Sequence, residues 1–127
     1  MGSAILVSAN LDAGTKVLKT LDDANVKIDV ALLASFPEYS DPRLILASRQ
    51  LDALGLREAR GAVLQPLRNA GLSIDERGSF TILRMKEPFI RDLRKIFGRT
   101  ESVEGMRLGG QVFGDRFVED AYVYRIS

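Results

Sequence analysis

The chain of 127 residues has the length of one domain, and a chain of this size can bury roughly two-thirds of the surface that its unfolded form exposes. Its 46% apolar and 28% charged residues are typical of a folded globular protein. Because 18 basic and 17 acidic residues leave a net charge of +1, no overall field favours nucleic acid, an anionic membrane or an acidic partner. We expect one folded domain over residues 1–127.

Cysteine and histidine are both absent. Disulfides, thiolate or imidazole metal sites, a cysteine nucleophile and histidine-based triads are therefore excluded. The sequence predicts no catalytic residue, no metal site and no cofactor, although chemistry built from carboxylates, lysine or tyrosine stays open. The apolar run at residues 4–7 is too short for a signal peptide or a membrane span, so we expect a cytoplasmic protein without a membrane partner.

The first predicted helix covers residues 10–24, where Leu11, Val17, Leu18 and Leu21 recur at helical spacing. Gly14 should weaken the first turns of this helix. The preceding residues 4–9 could extend the helix backwards or form a short strand, and the sequence leaves both open.

A strand predicted at residues 26–36 should organise the fold. Its even positions from Val26 to Phe36 are all apolar, so one whole face belongs to the core. The other face changes from polar to apolar towards its middle, which indicates partial cover on that side too, as in a strand inside a sheet. A proline-containing turn at residues 37–42 and a second strand at residues 43–48 complete a predicted antiparallel hairpin.

The next predicted helix covers residues 56–70, and Gly71 should stop it. Pro66 should remove one backbone hydrogen bond and kink this helix or end it early. A turn at residues 76–78 and a strand at residues 79–85 follow, and the strand could pair with a short one at residues 72–74.

Pro88 is suited to the first position of a third helix, because its missing N–H would have no partner there. The apolar stripe of this helix runs to Phe97, and Gly98 should end it. Residues 99–105 are predicted to form a loop.

The C-terminal part should form two strands, at residues 106–112 and 117–126, around a tight turn at Gly114-Asp115. By alternation, Val118, Tyr122, Tyr124 and Ile126 share one face of the last strand. The pair Gly109-Gly110 lacks the context of a phosphate-binding loop, so it indicates a bulge or a close backbone approach.

These elements, in the order α-β-β-α-β-α-β-β, predict an α+β fold. We expect a mixed, largely antiparallel sheet of about five strands with three helices on one face.

A local excess of positive charge is the main candidate for a binding site. The segment from Arg77 to Arg99 contains seven cations, and the only acidic residues in it are Glu87 and Asp92. The candidate nucleic-acid-binding residues are Arg84, Lys86, Arg91, Arg94, Lys95 and Arg99, the last four of which share one side of the third helix. The favoured interpretation, however, is a solvated helix face whose cations stabilise the helix C-terminus.

Other candidate sites are weaker. Tyr122 and Tyr124 could form an aromatic platform for RNA, but packing in the core or at its rim is the favoured interpretation. Glu38 and Asp41 could hold a hard cation, yet both residue types are expected in a turn.

A well-specified core beside an absence of catalytic residue types indicates a non-enzymatic binding or regulatory module that acts through a protein surface. A nucleic-acid-binding accessory protein that uses the basic helix at residues 88–98 is the alternative. A small hydrolase or transferase built from carboxylates is a third interpretation. Because a sheet of this size has edges that must be covered, charged or paired, self-association as a homodimer is also expected.

Overall fold

The computed structural model describes Leu6 and residues 8–72, 80–100 and 102–127. Some sequence predictions fall outside these residues: the turn at residues 76–78 with Arg77, the strand at residues 72–74 beyond Leu72, and most of the open segment before Ser8. Where the open segment is described, Ser8 and Ala9 belong to the first helix, so the helix does extend backwards.

Within the described residues, the chain forms four helices: α1 (Ser8–Asp23), α2 (Arg49–Asp52), α3 (Leu56–Asn69) and α4 (Pro88–Phe97). The strands are β1 (Val30–Ser35), β2 (Arg43–Ala47), β3 (Phe80–Ile82), β4 (Arg107–Leu108), β5 (Gln111–Phe113), β6 (Arg116–Val118) and β7 (Asp120–Ile126). The predicted order holds, except that the short helix α2 is additional and the two C-terminal runs are divided into four strands. No helix in this part of the chain is long and apolar enough to cross a membrane.

Five strands form one mixed sheet in the order β3-β2-β1-β7-β4. β1 pairs antiparallel with both β2 and β7, β4 pairs antiparallel with β7, and β3 lies parallel to β2. β5 and β6 form a separate two-stranded sheet. The α+β class, the mixed and largely antiparallel sheet, and the central place of β1 are confirmed.

The helices divide between the two faces of the sheet, whereas the sequence predicts all of them on one face. Val30, Leu32 and Ala34 of β1 share a core with α4, and Ala31 and Leu33 share a second core with α1 and α3. All six residues of β1 are buried. A strand that is buried on both faces needs a layer of helix on each, so the fold has three layers.

β1 starts later than the apolar alternation predicts, because the end of α1 occupies the preceding residues. Asn25 has a positive φ of 62°, and the N–H of Val26 donates to the carbonyl oxygen of Leu21 at 2.9 Å. This is a Schellman cap, in which Asn takes the left-handed position. Val26 and Ile28 consequently pack in the core under α1, not with the even-numbered residues of β1.

α3 ends close to its predicted boundary. The helix continues through Pro66 to Asn69, so the proline removes a backbone donor without ending the helix early. Gly71 has a φ of 76°, and the N–H of Leu72 donates to the carbonyl oxygen of Leu67 at 3.0 Å. The predicted stop at Gly71 is therefore a second Schellman cap.

A bulge in β7 moves side chains between the two faces of the sheet. The register with β1 shifts after Ala31 and leaves Tyr124 as an additional residue on β7. Tyr122 and Tyr124 pack towards α1, while Val118 and Ile126 pack towards α4. The expected common face of these four residues is wrong for two reasons. Ile126 follows the bulge, which reverses the alternation, and Val118 belongs to β6 of the two-stranded sheet and not to β7.

The predicted hairpin between β5 and β6 is confirmed. Phe113 lies opposite Arg116, so Gly114-Asp115 is a two-residue turn with a positive φ of 62° at Gly114. The close backbone approach at Gly109 is also confirmed, since a Cβ there would lie 2.9 Å from the carbonyl oxygen of Glu119. The main-chain N–H of Gly114 donates to Asp92 of α4 at 2.6 Å, which holds the hairpin against that helix.

Candidate functional site

Helix α4 carries the candidate site because its two sides differ sharply. Pro88 occupies the first turn as predicted, and Phe89, Ile90 and Leu93 are fully buried in the core on this face of the sheet. The remaining side of the helix faces solvent and holds most of its charged residues. The amphipathic spacing thus fixes which residues are available for binding.

Four of the six predicted site residues line one open groove on this solvent side. The groove has a volume of about 480 Å³, and among the described residues it is lined by Arg91, Arg94, Lys95 and Arg99. We call these four residues the basic groove. All four are cations, so the described lining of the groove is positively charged.

The cations along α4 are subject to opposing electrostatic effects. Arg91 and Lys95 lie at i and i+4, and like charges at this spacing destabilise a helix by about 0.2–0.5 kcal/mol per pair. The helix dipole favours Arg94 and Lys95 in the last turn and disfavours Arg91 in the first turn, but Glu87 at the N-cap lies four positions before Arg91, a spacing that favours opposite charges. Arg99 lies in the turn that follows the end of the helix at Phe97.

Arg94 is the one groove residue with a fixed position. Its Nε donates to the main-chain oxygen of Ser127 at 2.9 Å, and the residue is only partly exposed. This contact places the residue that follows β7 beside the basic groove. The other three cations are exposed.

The remaining two predicted residues lie elsewhere. Arg84 donates through Nη1 to the main-chain oxygen of Asp52 at 3.0 Å, so its guanidinium is directed to the end of α2. Lys86 is exposed, but it does not line the groove. The structure therefore brings together the four cations of residues 91–99 in one groove. Arg84 and Lys86 do not add to this groove.

The two tyrosines of β7 do not form an exposed aromatic platform. Tyr124 is buried, and its hydroxyl donates to the carbonyl oxygen of Leu11 at 2.7 Å. Burial, followed by the electrostatic effect of Tyr122, raises the pKa of Tyr124 to about 12. The phenol therefore stays neutral at physiological pH and holds β7 to α1, which is the packing interpretation of the sequence.

A second pocket of about 470 Å³ was not predicted from the sequence, and it lies between α1 and β7. Arg125 makes two hydrogen bonds to the carboxylate of Asp22, at 3.1 and 2.9 Å, which raise the pKa of the guanidinium above its ordinary value. No local signal could have indicated this pair, since the two residues are 103 positions apart. Because the two charges satisfy each other, the pair is a structural contact between α1 and β7.

Acidic residues do not converge on a metal site in the described residues, where no group of three or more potential ligands occurs. Glu38 and Asp41 are exposed between β1 and β2. The buried carboxylate of Asp29 accepts from the N–H and the guanidinium of Arg49 at 2.8 and 2.7 Å, so it serves to hold the start of α2.

Comparison with known proteins places the chain in no family. No protein-family model matches it, and neither a curated protein nor a solved structure does.

Proposed function

We propose that this protein is a non-enzymatic binding module that binds an acidic segment of a partner protein in its basic groove. The observation that carries the proposal is the described lining of the groove, in which Arg91, Arg94 and Lys95 of α4 and Arg99 of the following turn lie together. Arg91 and Lys95 repel each other at i, i+4, so a ligand that neutralises them relieves this repulsion.

Arginine is well suited to this ligand. Its planar guanidinium can bind a carboxylate through two parallel hydrogen bonds, and three of the four groove residues are arginines. Salt bridges at exposed sites contribute only about 0.2–1 kcal/mol each, so several must act together. A groove with four cations supplies that number.

A protein partner is favoured over nucleic acid by what surrounds the groove. Arg84 and Lys86 do not extend it along a backbone path, and none of the described residues that line it is an aromatic on which a base could stack.

The test is fluorescence anisotropy with a short labelled peptide of glutamate and serine, at low and at physiological salt. The groove variant Arg91→Gln/Lys95→Gln/Arg99→Gln keeps Arg94 and its contact with Ser127. The matched control Lys27→Gln/Arg57→Gln/Arg68→Gln removes the same charge from exposed positions outside α4. We expect the groove variant to lose affinity by about tenfold, and the control to change it by less than about twofold.

Three outcomes would overturn the proposal. The peptide could fail to bind, or both variants could lose affinity equally, which would leave only non-specific charge attraction. A labelled oligonucleotide could instead bind more tightly than the peptide, with a steep salt dependence that the groove variant abolishes. That last result would assign the basic groove to nucleic acid.

A further inference from the structure

Ile96 is the apolar residue of α4 that the core does not use. It is 57% exposed, whereas Phe89, Ile90 and Leu93 on the same helix are fully buried. Because most of the Ile96 side chain is in solvent, a polar residue at this position would leave the core equally well buried. Packing within the protein therefore does not explain why this residue is apolar.

The place of Ile96 on the helix puts it at the border of the basic groove. It follows Lys95 directly, and Arg99 lies three positions later, in the turn that follows the end of α4 at Phe97. On the preceding turn of the helix, its neighbours are the buried Leu93 and Asp92. The carboxylate of Asp92 already accepts from Gly114 at 2.6 Å, so this charge is directed at the hairpin and not at the groove.

We infer that the segment bound by the basic groove carries an apolar side chain beside its acidic residues, and that this side chain docks on Ile96. The inference rests on the proposed function and specifies its partner as an acidic segment with an apolar anchor. Carboxylates neutralise the cations, while the anchor removes the exposed surface of Ile96 from water.

The spacing of the cations along α4 fits acidic residues of an extended segment. At 1.5 Å per residue, Arg91 and Lys95 are separated by about 6 Å along the helix axis. In an extended segment, acidic side chains at alternate positions are about 7 Å apart, so two of them match this spacing. Arg99, in the turn after α4, lines the same groove and can contact a further acidic residue.

The experiment measures the affinity of two labelled peptides that have the same acidic residues and differ by one leucine or one serine. Both are tested against the wild type and against Ile96→Ser. The control Val112→Ser changes an apolar residue that is similarly exposed, at 62%, but lies on the hairpin of β5 and β6. All three proteins should fold alike, because the substituted side chains are largely in solvent.

We expect the leucine peptide to bind the wild type about five- to tenfold more tightly than the serine peptide. Ile96→Ser should remove this preference, and Val112→Ser should leave it intact. A preference that survives in Ile96→Ser would overturn the inference, and so would equal binding of the two peptides by the wild type. Equal binding would leave the proposed function standing, whereas failure of both peptides to bind would overturn the proposed function as well.

An anionic lipid surface presents the same combination of negative charge and apolar matter, so vesicles of mixed zwitterionic and anionic lipids form the last arm. Vesicle binding that depends on both Ile96 and the groove cations, without binding of the leucine peptide, would assign this surface to lipid and overturn the inference.

Discussion

Two helical glycines of this chain are subject to opposite constraints. Gly14 lies in α1 beneath the ring of Tyr124, and a Cβ at this position would overlap the tyrosine hydroxyl and ring. Gly61 lies in α3, is exposed, and has open space where a Cβ would be. The sequence predicts only that a glycine weakens a helix, which applies to both residues. The contact with Tyr124, which lies far away in the chain, distinguishes them.

Alanine substitution should therefore change stability in opposite directions at the two glycines. Gly61→Ala should raise the free energy of unfolding by about 0.5–1 kcal/mol, because alanine is the better helix former. Gly14→Ala should lower it by about 1–3 kcal/mol, because the new methyl group forces Tyr124 from its place and from its hydrogen bond to Leu11. Urea denaturation measures both. A Gly14→Ala protein as stable as the wild type would show that Tyr124 does not pack on α1 as described.

Among the elements, helices were easier to predict than strands because their signals are local. Pro88 marks the start of α4 and Gly71 the end of α3, and both act through the backbone at their own positions. α2 was missed because four residues are too few for a periodic pattern. Its hydroxyl cap, Ser48, accepts from Leu51 at 3.1 Å and is recognisable only once the turn is known.

The boundaries of β1 and the faces of β7 depend on contacts that the sequence does not display. Alternating apolar residues continue from the cap of α1 into β1, so the pattern alone cannot separate the two. In β7, the bulge at Tyr124 is set by the register with β1, a partner nearly one hundred positions away in the chain. A period-2 pattern predicts sides correctly only while the pairing stays regular.

In the candidate site too, some features follow from local spacing in the sequence and others depend on contacts between distant residues. Arg91, Arg94 and Lys95 could be predicted to lie together because they share one helix, and Arg99 joins them from the next turn. Arg84 is close to them in sequence, but its contact is with Asp52, 32 positions earlier. The exposed state of Ile96 also required the structure, since by composition it belongs to the apolar stripe of α4.

At the level of α4, charge reversal at Arg91 should stabilise the fold and weaken binding at once. Arg91→Glu replaces the like-charge pair with Lys95 by an attractive one, but it also replaces the favourable i, i+4 pair with Glu87 by a like-charge pair, so the two pair effects offset each other. What remains is an acid in the first turn, where the helix dipole favours it, so we expect the free energy of unfolding to rise by about 0.3–1 kcal/mol, while affinity for the acidic peptide falls. Thermal denaturation and anisotropy on the same samples test both effects.

The matched control for this prediction is Lys95→Glu, which makes the same change of charge in the last turn of α4. The dipole disfavours an acid there, so this variant should gain no stability although it also weakens peptide binding. If both substitutions raised the free energy of unfolding equally, the helix dipole would not explain the effect of charge at these two positions.

For the whole molecule, the essential feature is a central strand with a helix layer on each face. The sequence correctly predicts one fully apolar face on β1 and partial cover on the other, but it places all helices on one side. The sequence cannot predict this point, because the pattern of an amphipathic helix does not indicate which face of the sheet the helix covers. Which face each helix covers follows from its contacts, since α4 shares a core with one face of β1, and α1 and α3 share a core with the other.

This two-sided burial predicts equal sensitivity at two adjacent residues of β1 that point in opposite directions. Leu32 lies in the core with α4 and is 0% exposed, and Leu33 lies in the core with α1 and α3 and is 5% exposed. Leu32→Ala and Leu33→Ala should each lower the free energy of unfolding by about 2–5 kcal/mol, because each leaves a cavity beneath a helix. Leu56→Ala, at a residue that is 69% exposed, should change it by less than about 0.5 kcal/mol. Denaturant titration of the three variants decides between the two architectures. A sheet covered on one face would lose much stability only at Leu32, whereas the three-layer fold requires comparable losses at Leu32 and Leu33.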